Sequence, residues 1–176
     1  MKRLCYITCL GYSLLLAGCP YSSSYKLDDV PSIYVEDELL GNWACFVKKP
    51  GTEREEPVKL ILSKKNETEY NIAFTGYLDE LKPFRIVNND TIKGSASLNA
   101  LLGRQFLNIE INARTYIAEL QFANDTLSIL PLAEHFTSRI VHSGKALKQM
   151  LEFHYKTRTH PMFDEDFCLK DMVKVN

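Results

Sequence analysis

From Gly41 onward, apolar residues recur at every second position, which is the period of a strand with one face buried. In 42–47 the repeating set is Trp43, Cys45 and Val47, and in 58–63 it is Val58, Leu60 and Leu62 with Lys59 opposite. Tyr70, Ile72 and Phe74 continue the pattern in 70–75, after a short polar connection from Lys64 to Thr68 that suits a hairpin. Residues 77–89 are less regular, and Pro83 there forbids a helix interior and leaves a loop or edge segment. Alternation resumes over 91–98 (Ile92, Gly94, Ala96, Leu98) and 105–111 (Leu107, Ile109, Ile111), with Gly103 ending the turn between them. Asn112-Ala113-Arg114 then leads into 115–122, and Asn124-Asp125 into 126–130. The period lengthens near the end, where Leu147, Met150, Leu151 and His154 fall at i, i+3, i+4 and i+7 behind Ser143, a helix-capping residue. A last strand over 167–173 places Phe167, Leu169 and Val173 on one side. The pattern predicts a mainly β chain: an antiparallel up-and-down β-barrel or half-barrel of about eight strands, with one C-terminal helix.

Residues 20–40 carry neither period. Pro20-Tyr21-Ser22-Ser23-Ser24, then Asp28-Asp29, Pro31 and Glu36-Asp37-Glu38, keep the stretch polar and predict a tether. The first residues have the parts of a secretory signal: a basic start at Lys2 and Arg3, an apolar run from Leu4 to Ala17, and small residues at Ala17-Gly18. That run is shorter than the ~20 residues a membrane-spanning helix needs. The chain thus divides into a signal over 1–18, a tether over 19–40 and one barrel-like domain over 41–176.

Leu16-Ala17-Gly18-Cys19 resembles the lipobox of bacterial lipoproteins. The resemblance implies cleavage before Cys19, a diacylglyceryl group on its sulfur, and a fatty acyl chain such as palmitate on the new amine. Chains of this kind anchor stably once two are present. The implied location is the bacterial cell envelope, on the inner or the outer membrane. Without Lys2 and Arg3 the mature chain holds 19 basic residues against 22 acidic, a net charge of −3. A near-neutral surface without a basic run argues against nucleic acid or an anionic bilayer surface as ligand.

Gly41-Asn42-Trp43 at the first strand resembles the G-x-W element of lipocalins and lipocalin-like lipoproteins, and the late helix before a closing strand is similar too. The resemblance implies that Trp43 packs across the closed end of a barrel, although the Arg that covers this Trp in lipocalins has no assignable counterpart. The body from Leu40 onward also resembles a group of small uncharacterised lipoproteins of Gram-negative bacteria. The pieces that carry this are Leu102-Gly103 with Phe106-Leu107, Asp125-Thr126-Leu127, and the helix from Leu147 to His154.

Few residues suggest reaction chemistry. His135, His142, His154 and His160 are separated by seven, twelve and six positions, which matches no compact metal-ligand pair. Asp164-Glu165-Asp166 could offer oxygens to a hard cation, but a solvated loop is the simpler reading. No G-x-S-x-G is present, and Ser143 is already explained as a cap. The sequons at Asn66, Asn89 and Asn124 read as turn residues feeding strands. No metal, cofactor or enzymatic activity is expected.

Two cysteines remain after Cys19: Cys45 in the first strand and Cys168 at the last, 123 positions apart. Closure of the barrel would bring those strands together, and an oxidising compartment permits a Cys45–Cys168 disulfide; two separate buried thiols are the alternative. The functional expectation is a non-enzymatic envelope lipoprotein serving structure or protein interaction. Binding of an apolar small molecule, or inhibition of an envelope enzyme, stays open beside it.

Overall fold

Three hairpins in the middle of the chain each turn through two residues. Leu102 and Gly103, Asn112 and Ala113, and Asn124 and Asp125 all have positive φ. That backbone twists with the flanking strands and so fixes their register. The computed structural model describes residues 20–48, 55–76, 91–137, 140–158 and 161–175, with the side chains of Lys48 and Asp166 left out. The expectations for 1–18, for Cys19, for 77–89 including Pro83, for Asn89 and for His160 lie outside the described residues.

The strands are β1 (Ser22–Ser23), β2 (Gly41–Lys48), β3 (Glu55–Lys64), β4 (Glu69–Gly76), β5 (Thr91–Leu101), β6 (Arg104–Ile111), β7 (Arg114–Ala123), β8 (Thr126–Pro131) and β9 (Leu169–Val175). Helix α1 (Gly144–Thr157) lies between β8 and β9 in the chain. From β2 to β8 each strand pairs antiparallel with the next, and β9 fits between β8 and β2. The ring is closed, an eight-strand antiparallel barrel consistent with a lipocalin-like fold, and the half-barrel alternative does not apply.

The inward set matches the alternation in every strand but the last. Leu169 and Met172 face inward, whereas Val173 points out and is 52 % exposed. The cause is a β-bulge. Leu127 pairs with Met172 and Ile129 with Leu169, so three residue steps on β9 face two on β8. Asp171 takes up the extra residue at φ 51, and its N–H donates to Ser128 Oγ at 2.9 Å. One inserted residue reverses the side-chain parity, which strict alternation cannot foresee.

Two layers of apolar packing result. The first fills the barrel, from Trp43, Leu60 and Ile72 across to Leu107, Leu120 and Ile129. The second lies outside it, where Leu101, Phe106 and Ile117 on the outer face of β5–β7 meet Leu147 and Leu151 of α1, with Leu27, Leu132 and Phe136. Ser143 caps α1 as expected, its Oγ accepting from the Ala146 N–H at 3.1 Å. Thr115 to Leu120 is consequently buried without a break, because both faces of β7 are covered.

The predicted tether is instead a strap bound to this outer face. Ser22 and Ser23 pair with Tyr116 and Thr115 of β7. The Tyr21 N–H donates to Leu132 O at 2.8 Å, and the Leu27 N–H to Asn108 Oδ1 at 2.8 Å. Further on, Ser32 Oγ accepts from the Ala100 N–H and Val35 N–H donates to Glu67 O. Gly144 is required where strap and helix cross: a Cβ there would stand 2.4 Å from Lys26 O. The polar composition that suggested a solvated spacer supplies hydrogen bonds to an outer wall that is itself polar in places.

The Cys45–Cys168 disulfide is not formed; both residues are buried free thiols. Closure holds nevertheless, with Ala44 opposite Val173. That register puts Cys45 beside Met172 and leaves Cys168 four residues away, just before β9 begins at Leu169. The bulge takes up one of those four steps, so at ~3.3 Å per residue the offset is about 10 Å, beyond the ~7 Å that a disulfide spans between Cα atoms.

Candidate functional site

At one barrel end, the turn Asp37–Leu39 precedes β2 and brings Leu39 O to Trp43, whose Nε1–H donates to it at 2.9 Å. Trp43 is 1 % exposed and meets Phe122 edge-on at 6.0 Å between centroids. Lys174 of β9 lies over the indole, its Nζ 5.4 Å from the ring centroid and donating to Glu38 O. Gly41 makes room for that lysine, since a Cβ there would meet Lys174 Cε at 2.7 Å. Trp43 is a packing residue at a barrel end, and Lys174 takes the covering position for which the sequence offered no Arg.

The inward side chains along the barrel are aliphatic or aromatic, and their few polar atoms are matched. Tyr70 Oη accepts from the Glu36 N–H at 2.8 Å, and burial raises its pKa. Burial also pushes the Cys45 thiol up to about 11. Residues 49–54 and 77–90 lie outside the described residues.

The outer wall beneath the strap and α1 carries a different chemistry. Glu119 on β7 is 1 % exposed. Its carboxylate accepts from Arg104 Nη1 at 2.7 Å, from Gln121 Nε2 at 2.8 Å and from the Tyr155 hydroxyl. Arg104 also sits over the Tyr155 ring, 4.8 Å from its centroid. Burial first, and the hydrogen bond to Glu119 second, raise the Tyr155 pKa. A second group joins strap to barrel and helix. Lys148 Nζ donates to Asp28 Oδ1, Asn99 Nδ2 donates to Asp28 Oδ2 at 3.0 Å, and Asn108 Nδ2 donates to Asn99 Oδ1. These carboxylates face cations and amides that satisfy them, so each group works as a latch between layers.

The opposite stretch of outer wall, on β9, β2 and β3, has no second layer over it among the described residues. Val173 lies opposite Ala44, Asn42 opposite Ile61, and Phe46 opposite Pro57. Phe46 is 69 % exposed and Ile61 41 %. With Val173 they mark an outward stripe across three neighbouring strands: Val173 lies diagonal to Phe46, and Ile61 stands four residues along β3 from Pro57, beyond the exposed Lys59.

Comparison with protein-family models, curated proteins and solved structures finds no match for this chain.

The remaining candidate residues are dispersed. His154 is buried on the wall-facing side of α1, while His135 and His142 are exposed. In the acidic run, Asp164 is buried and its N–H donates to Pro131 O, whereas Glu165 pairs with Lys170 at 2.5 Å. Among the described residues no three of His, Cys, Asp or Glu gather as a metal site would require, and no helix is long and apolar enough to cross a membrane. Asn66 Oδ1 accepts from the Thr68 and Glu69 N–H groups, and Asn124 has φ 51, so these two sequons sit in turns. The Glu119 and Asp28 groups escaped the sequence reading because their members lie up to 120 positions apart. One local signal was available: Phe106 and Ile117 are apolar at outward positions, which marks a second buried face.

Proposed function

We propose that the chain is a membrane-anchored envelope lipoprotein, lipidated at Cys19, whose barrel is a non-enzymatic structural or protein-interaction module. The observation that supports this reading is the outward stripe of Phe46, Ile61 and Val173 on a barrel whose inward positions are occupied by packed side chains. Apolar groups on a closed barrel wall have no internal partner, and clusters of them favour contact with another protein. The partner is another envelope protein, and the stripe is its docking face. Native mass spectrometry of the lipidated protein tests it: Phe46→Glu with Ile61→Glu should abolish a stoichiometric complex while leaving the melting temperature close to that of wild type. A complex that survives the double substitution removes the stripe from the account.

The second reading is binding of an apolar small molecule in the lumen. It is favoured by the uniformly apolar interior, from Leu60 to Ile129. A small molecule retained in the same spectra, and lost when Leu98 is enlarged to Phe, would select it. Anchoring is tested separately by fatty-acid labelling, which should mark the wild type and not Cys19→Ala.

A further inference from the structure

We infer that the domain rests on a lipid surface with its α1 side down, because no slack separates the lipid-bearing residue from the docked strap; this rests on lipidation of Cys19. Pro20 already bridges to Ala133, and the next residue is fixed by the Tyr21 N–H donating to Leu132 O at 2.8 Å. The Tyr21 ring stands edge-on to Phe136 at 4.8 Å and packs in the cluster that holds Leu147 and Leu151 of α1. Cys19 is one Cα step from Pro20, ~3.8 Å. A flexible spacer of about 20 residues would instead allow an end-to-end distance of about 25 Å, enough for the barrel to turn freely. The strap converts that leash into a fixed attachment point beside α1.

The surface next to this point has the side chains of a lipid headgroup zone. Lys145, Gln149, Phe153 and Lys156 form the exposed face of α1, and Phe153 is 52 % exposed. Ile140, just before the helix, is 80 % exposed. An aromatic ring between lysines suits the boundary where rings settle at headgroup level and ammonium groups reach phosphates along their alkyl stems. Contact comes from the short attachment rather than from net charge, which agrees with a mature chain of net charge −3. The stripe of Phe46, Ile61 and Val173 lies on other strands of the ring and is turned away from the bilayer, where a protein partner can reach it.

Lysine footprinting of the full lipidated protein in phosphatidylethanolamine–phosphatidylglycerol vesicles, with a membrane-impermeant acylating reagent, tests the orientation. Relative to unlipidated Cys19→Ala in solution, Lys145 and Lys156 should lose reactivity several-fold, and Lys59 and Lys93 should keep it. A Gly/Ser spacer of ~20 residues inserted between Cys19 and Pro20 should restore the reactivity of Lys145 and Lys156. Equal reactivity of all four lysines on an acylated protein, shielding of Lys59 instead, or shielding that persists with the spacer would each overturn the inference and leave anchoring intact. Absence of an acyl chain on Cys19 by mass spectrometry would remove anchoring and orientation together.

Discussion

The two outer walls of this barrel follow the same alternation rule and reach opposite ends. On β2 and β3 the outward positions include Ala44, Phe46, Lys59 and Ile61, and they stay open to solvent or half-covered. On β5–β7 the outward positions include Leu101, Phe106, Ile117, Asn108 and Glu119, and all are buried under strap and helix. The apolar members make the second layer adhere. The polar members decide where it adheres, since Asn108 holds the Leu27 N–H and Glu119 holds the Tyr155 hydroxyl. Among the described residues, the folding problem therefore continues beyond the closed barrel on one side and not on the other.

The difference can be broken most strongly from the covered side. Phe106→Ala should cost ~3–5 kcal/mol, because Phe106 is 0 % exposed between barrel and helix. Phe46→Ala, on the bare wall at 69 % exposure, should stay within about 0.5 kcal/mol. Denaturant titration of both variants reads the contrast directly, and similar losses would mean the walls are not distinct. Leu27→Ala should cost ~2–4 kcal/mol, a large effect for a residue in a polar segment ahead of the barrel, because it packs with the helix core at 1 % exposure.

Glu119→Ala tests the polar part of the layer. It leaves the Tyr155 hydroxyl without its acceptor while Arg104 and Gln121, both exposed, can rehydrate, so a loss of about 1–3 kcal/mol is expected. A variant as stable as wild type would show that the network is incidental. The smallest effect concerns the thiols. Burial raises Cys45 and Cys168 from 9.0 to about 11, with Glu165 adding to the rise at Cys168. Groups with raised folded pKa values contribute stability that is fully present below pH 9 and is lost as pH rises through 11. Cys45 and Cys168 should therefore be free thiols that react slowly with iodoacetamide at pH 8, and the melting temperature should decline above pH 9. A protein with no titratable thiols before reduction would restore the disulfide.

Much of the barrel was legible because a period of two survives wherever only one face is buried. Val58, Leu60 and Leu62 alternate with Lys59 and Ile61 in the structure as in the sequence, and the positive-φ hairpin at Asn124-Asp125 stands where the turn residues placed it. Legibility failed where geometry outside the local pattern decided the outcome. The bulge at Asp171 turned Val173 outward. The four-residue offset between strands separated Cys45 from Cys168. The strap failed for a third reason: its hydrogen bonds go to Asn108, Asn99 and Leu132, partners that a composition-based reading of 20–40 cannot see. The candidate surfaces were hidden likewise, since Phe46, Ile61 and Val173 come to one wall only through strand register and the bulge.

Everything specific to this account depends on residues 20–36 being part of the fold rather than a leash. Amide hydrogen exchange measures that directly. The Tyr21, Leu27 and Val35 amides, which donate to Leu132 O, Asn108 Oδ1 and Glu67 O, should exchange slowly, with opening energies close to those of the β6 and β7 ladder. Exchange of all three at the rate of an unstructured peptide, beside a protected barrel, would contradict the account and return the segment to a tether.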